Sequence, residues 1–164
     1  MIIAVFSDSH DNIWNLSKAL EIVAEEQAEL LVHCGDYCAP FVLAELAKFG
    51  GDIHGVFGNV DGDKFLMADF IHTKFTNITL YDDVGELEVE GVKVAFVHKL
   101  KIARALAATG DYQAVFFGHT HEKMSERIGN CLLVNPGEIM GRINTPSFCL
   151  FDTDKKEIQH IEVE

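Results

Sequence analysis

The segment Ile2-Ile3-Ala4-Val5-Phe6-Ser7-Asp8-Ser9-His10 decides how the rest of the chain reads. Its apolar run, rich in β-branched residues, predicts a buried strand. The run then ends on Asp8 and His10, two side chains able to hold a metal ion.

The same device recurs along the chain. Residues 30–34 run into Gly35-Asp36, residues 53–57 into Gly58-Asn59, residues 92–97 into His98, and residues 114–117 into Gly118-His119-Thr120-His121. Ligands of open α/β sheets bind outside the carboxyl ends of the strands, so these groups are expected to converge on one rim. Glycines 35, 58 and 118 precede ligand positions, where a missing side chain lets the backbone turn tightly and approach the site.

Helical patterns separate the first strands. Ile13, Leu16, Leu20 and Val23 mark one face of a helix over residues 12–29 with Asp11 or Asn12 as its N-cap, and Phe41, Leu43, Leu46 and Ala47 mark a second that stops at Gly50-Gly51. A βαβαβ order implies a parallel sheet with right-handed crossovers. After about Lys74 the pattern changes to hairpins: residues 87–90 and 92–97 flank Glu90-Gly91, residues 124–128 and 132–134 flank Gly129-Asn130, and residues 148–151 and 158–163 flank a polar turn. One further helix is expected over 102–108. The expected fold class is α/β: two packed mixed β-sheets flanked by helices, an αββα sandwich in one domain over residues 1–164.

Hydrophobic residues make up 48% of the chain and charged residues 24%, the balance of a globular protein. The apolar start has no basic residue before it and Asp8 cuts it short; with no membrane-length apolar run either, a cytoplasmic location is expected. Cys34, Cys38, Cys131 and Cys149 are scattered, which suits buried free thiols. A net charge of −13 argues against a long nucleic acid as partner. A small anionic substrate stays open, because two bound cations would reverse the field locally.

Carboxylate, amide and imidazole ligands without thiolate suit Mn, Fe, Zn, Ni or Mg rather than a closed structural zinc. Asp8, His10, Asp36, Asn59, His98, His119 and His121 are too many for one ion with an open position and about right for two sharing a bridging carboxylate. Asp36, on its glycine turn, is the natural bridge. Asp61 either supports this shell or caps a helix beginning near Gly62, the cap being slightly favoured. His33 and His54 read as hydrogen-bonded core residues, His72 and His160 as surface or packing residues, and neither Ser7 nor Ser9 sits in a nucleophile elbow.

In this order, Asp8-x-His10, Gly35-Asp36, Gly58-Asn59-x-Asp61, His98 and Gly118-His119-x-His121 resemble the calcineurin-like metallophosphoesterase superfamily. Its small prokaryotic phosphodiesterase branch is similar in length and carries a turn like Asn135-Pro136-Gly137. The resemblance implies one metal on Asp8, His10, Asp36 and His121 and a second on Asp36, Asn59, His98 and His119, with Asp36, Asn59 and His98 at the catalytic centre. It implies two divalent ions, Mn or Ni foremost, and a phosphodiesterase acting on a small phosphodiester or nucleotide-like substrate, with no membrane partner. A homo-oligomer through the hairpin-rich half is compatible with it.

Two positions depart from the superfamily pattern. Val60 stands where many members carry a His that protonates the leaving group, and Lys99-Leu100 stands where relatives often show Gly-His. The first change favours activated aryl diesters over alkyl monoesters; the second raises Lys99 or Lys101 as a phosphate contact. A nucleotide phosphatase or nuclease is an alternative within enzymes. Outside them stands a non-catalytic scaffold of the same fold, since a eukaryotic retromer subunit resembles this branch while lacking much of its metal pattern.

Overall fold

Along β1 (Ile2–Phe6) the side chains divide between two cores: Ile3 and Val5 join one apolar cluster, Ala4 and Phe6 another. That division is the mark of a central strand covered on both faces. The computed structural model describes residues 1–164.

The chain continues through α1 (Ile13–Glu25), β2 (Leu30–His33), α2 (Val42–Leu46), β3 (Asp52–Val56), α3 (Lys64–Thr73) and β4 (Ile78–Tyr81). Its second half holds β5 (Val84–Val89), β6 (Val92–Val97), α4 (Leu100–Thr109), β7 (Ala114–Phe116), β8 (Met124–Ile128), β9 (Cys131–Asn135), β10 (Ser147–Asp152) and β11 (Glu157–Glu162). One sheet has the order β11-β10-β1-β2-β3-β4, with β1 to β4 parallel and β10 antiparallel to β1; the other has the order β5-β6-β7-β9-β8. Ile3, Val5 and Val32 meet Val94, Phe116 and Val134 between the sheets. Leu16, Leu20 and Val23 of α1 cover the outer face of the first sheet, and Ala103 and Ala107 of α4 cover that of the second. The expected αββα sandwich is the observed one.

Three details differ from the sequence reading. The first helix ends at Glu25 rather than near residue 29, because Gln27 adopts φ +56° and the Ala28 N–H turns back to the Val23 carbonyl. β4 joins β3 in parallel, where the sequence reading named no strand between Lys74 and Leu87; it is a short edge strand with one buried residue, Ile78, so it carries little apolar signal. α3 is capped by Asp63, whose side chain accepts from the Leu66 N–H at 3.1 Å, and not by Asp61. No helix is long and apolar enough to cross a membrane.

Candidate metal centre

Loops leaving the strand ends interlock by backbone hydrogen bonds. Asp8 N–H donates to the Gly35 carbonyl and His10 N–H to the Asp36 carbonyl, each at 3.0 Å, which zips the loop after β1 to the loop after β2. Gly118 N–H donates to the His98 carbonyl at 3.1 Å, joining the ends of β7 and β6. Met140 N–H reaches the Asp8 carbonyl at 3.0 Å and brings in the loop before β10.

The turns are tight enough to force unusual backbone. Asp8, His10, Asp36, His119 and His121 all have positive φ, between 41° and 70°. Such φ values are uncommon for non-glycine residues and persist only where the surroundings over-determine them. At Gly58 and Gly118 a Cβ would run into the Asp36 carboxylate and the Ser7 hydroxyl respectively, so these two glycines admit the site's own side chains.

All seven residues singled out by their spacing are brought to this rim, in two groups. Asp8, His10 and His121 offer ligand atoms within 4.8 Å of one another, as do Asp36, His98 and His119. In the first group Asp8 Oδ1 lies 3.4 Å from His121 Nε2 and 3.7 Å from His10 Nε2. Within the second, Asp36 Oδ2 lies 3.2 Å from His98 Nε2, and Asn59 Oδ1 is 2.9 Å from that same nitrogen. Asp36 Oδ2 is also 3.6 Å from His10 Nε2, so one carboxylate oxygen faces both groups.

A divalent ion fits this donor set on a direct observation. Asp8 Oδ1 and His10 Nε2 are buried without any hydrogen-bond partner, although they face each other across the first group. Buried polar atoms left unpaired are costly, and a cation between them would remove that cost.

The electrostatics point the same way. Burial alone would raise the carboxyl pKa values of Asp8 and Asp36, but the imidazoles of His10 and His98 beside them, with the Ser7 hydroxyl on Asp8, outweigh it and hold both below the ordinary range. For His98, burial opposes the charged ring and the Asp36 carboxylate more than compensates, raising its pKa, so a cation entering there displaces a proton from the ring. Ionised carboxylates are the form a metal needs.

A second ring of side chains fixes the first. His98 Nδ1 donates to the Cys34 carbonyl at 2.8 Å, which leaves Nε2 to present its lone pair to the site. The Nδ1 of His121 is bonded by Glu138, a fully buried carboxylate whose other oxygen accepts the N–H groups of Ile143 and Asn144, both at 2.7 Å. Asp61 accepts from the N–H groups of Asp36, Cys38 and Gly58, and thus supports the shell rather than a helix end; burial raises its pKa despite those bonds. Cys38 is half-buried rather than buried, with Sγ 3.4 Å from His10 Nδ1.

Sequence reasoning missed Glu138. Its signal is slight: an acid directly after the Asn135-Pro136-Gly137 turn, in a chain already rich in acids. His33 matches its expected core role, being fully buried with Nδ1 accepting from Gly35 N–H and Nε2 facing Ser9 Oγ. Of the two lysines raised as phosphate contacts, Lys99 lines a cavity of about 170 Å³ beside Asn59 and His98, while Lys101 does not.

Comparison with known proteins gives this arrangement its relatives. Residues 1–156 match the family model of the calcineurin-like phosphoesterase superfamily domain. The chain is 32% identical to phosphodiesterase MJ0936 of Methanocaldococcus jannaschii, with all of both chains covered. Among solved structures, a novel archaeal phosphodiesterase superposes with a TM-score of 0.91 at 32% identity over 99% of each chain. The phosphoesterase YfcE of E. coli, at 19% identity and TM-score 0.71 over both whole chains, shares the fold, as does a zinc complex of Vps29 from Entamoeba histolytica at 14% and 0.70, again over both whole chains. With its family model matched along nearly its whole length and its ligand-bearing loops gathered on one rim, the chain belongs to the calcineurin-like phosphoesterase superfamily.

Proposed function

We propose that the protein is a cytoplasmic, single-domain phosphodiesterase that holds two divalent ions, one on Asp8, His10, His121 and Asp36, the other on Asp36, Asn59, His98 and His119. The observation carrying this reading is the pair of orphaned buried atoms, Asp8 Oδ1 and His10 Nε2, inside a cluster whose second half shares the Asp36 carboxylate. Such costly groups are relieved when a cation binds between them.

When bound, the two ions supply Lewis-acid charge and a water that ionises near neutral pH. The chain's residues do the rest. Asp36 Oδ2 faces both groups of side chains and would help to hold both ions. His98, held through its Nδ1 by the Cys34 carbonyl, keeps a fixed ring orientation on one side of the substrate, as Glu138 does for His121 on the other. The water oxygen, its proton released to solvent, bonds to phosphorus as the opposite P–O ester bond breaks, and the leaving oxygen departs in line as an alkoxide or aryloxide.

Val60 is 45% exposed at the rim and can give no proton to that leaving oxygen. Loss of a positioned acid costs about 10²–10⁴-fold. Esters of acidic alcohols, such as aryl diesters, are therefore the preferred substrates, and an alkyl monoester cleaved faster than an aryl diester would overturn this preference.

The test is hydrolysis of bis(p-nitrophenyl) phosphate by metal-stripped protein with Mn²⁺, Ni²⁺, Mg²⁺ or Zn²⁺ added back, beside Asp36→Ala. Metal-dependent turnover that is lost in the variant is the expected result, with Mn²⁺ or Ni²⁺ most effective. Failure to bind any of these ions would sink the reading and favour the scaffold.

A further inference from the structure

From the cavity beside His10 we infer that the protein binds a nucleoside arm of its diester substrate on Trp14 and Arg142. This deepens the phosphodiesterase reading and rests on it. The cavity, of about 510 Å³, is continuous with the metal centre through His10 and is lined also by Asn12, Trp14, Cys38, Met140, Arg142 and Asp11, whose carboxylate accepts from the Ala39 N–H. It is much the larger of two spaces flanking the centre, the other being the one of about 170 Å³ beside Asn59 and His98. A phosphodiester has two ester arms, and unequal spaces on either side suit unequal arms.

Trp14 is the chain's one tryptophan and is 74% exposed at the first turn of α1, where it adds nothing to the core. An aromatic face held open beside a phosphate site is a stacking platform, the common means of holding a nucleobase without reading its identity. The helix beneath it is anchored: Asn12 Nδ2 donates to the Met140 carbonyl at 2.8 Å and Asn15 Nδ2 to that of Ile139 at 3.1 Å, so the two walls of the cavity are tied together.

Arg142 supplies the second contact. Its side chain is exposed and held in no ion pair, unlike Arg104 with Glu126 or Lys123 with Glu162, so the guanidinium is free to meet a ligand in the cavity. Its backbone is placed by the clamp of Glu138 on the next two residues, Ile143 and Asn144. An unpaired guanidinium beside an open indole suits a planar base with carbonyl acceptors.

Because Trp14 is the sole tryptophan, its emission reports on the cavity without turnover. Titrating Mg²⁺-supplemented protein with thymidine 5′-phosphate is expected to quench that emission saturably, with affinity weakened about tenfold in Arg142→Ala, while inorganic phosphate leaves it unchanged. Unaltered emission, or equal quenching by inorganic phosphate, would overturn the inference. Kinetics gives a second reading through two esters with one leaving group, thymidine 5′-(p-nitrophenyl phosphate) and methyl p-nitrophenyl phosphate. Trp14→Ala is expected to lower the ratio of their kcat/KM values about tenfold, chiefly through KM, in line with the loss of one base–aromatic stack; an unchanged ratio would overturn the inference. Should neither ester be cleaved with any cation, the hydrolase reading fails, and the emission titration still decides whether the cavity takes a nucleotide.

Discussion

The two halves of the metal centre are built from the same side-chain types but are supported differently. Around Asp8, His10 and His121 the backing is anionic and soft: the buried Glu138 carboxylate holds His121 and the Cys38 sulfur touches His10. Around Asp36, His98 and His119 it is neutral on the imidazole side, a Cys34 carbonyl, while the one backing carboxylate, Asp61, binds backbone rather than a ligand ring. His119 is also exposed, whereas Asp8 is fully buried. Negative charge behind a ligand raises its basicity, so the first half is expected to hold its ion more tightly.

Asp36→Ala should abolish the distinction by damaging both halves at once. Hydrolysis is expected to fall about 10³-fold or more, and metal content per chain, read by elemental analysis, to drop in both positions. Glu138→Gln is the sharper probe, since it removes charge from one half only. The tighter of two Mn²⁺ constants is expected to weaken about 10–100-fold in a calorimetric titration, with the weaker one unchanged; a shift confined to the weaker constant would reverse the assignment.

Asp61→Ala acts on the other half through its loops. It strands the N–H groups of Asp36, Cys38 and Gly58, at a cost of about 1–3 kcal/mol in denaturant unfolding. His33 lies under both halves and serves as the control. Burial depresses its pKa to about 3, against an ordinary 6.5, so only the unfolded chain takes up its proton between those values and stability falls as pH drops through that window. By pH 5.5 the loss should reach about 1 kcal/mol, and His33→Gln should flatten that part of the profile.

What could be read in the sequence followed from strong, repeated signals. Each apolar strand running into Asp, Asn or His exposed both the parallel sheet and the rim on which those residues gather, because burial on two faces leaves an unbroken hydrophobic run. Elements with half-solvated faces were poorly legible: α3 buries only Met67, and β4 only Ile78. Asp61 was misjudged because caps and shell carboxylates occupy the same kind of turn, and only the direction of three backbone N–H groups separates them. Glu138 meets His121 across a fold-dependent contact, which no local pattern encodes.

Each half of the centre draws from both sheets: Asp8, His10, Asp36 and Asn59 follow β1, β2 and β3 of one, while His98, His119 and His121 follow β6 and β7 of the other. Neither sheet by itself offers a complete set, so an ion can be captured only once the two layers have docked. Bound ions would then act as late rivets across the sandwich. Divalent cations are expected to leave the refolding rate nearly untouched and to slow unfolding, giving the loaded protein a long kinetic lifetime out of proportion to any change in how fast it forms.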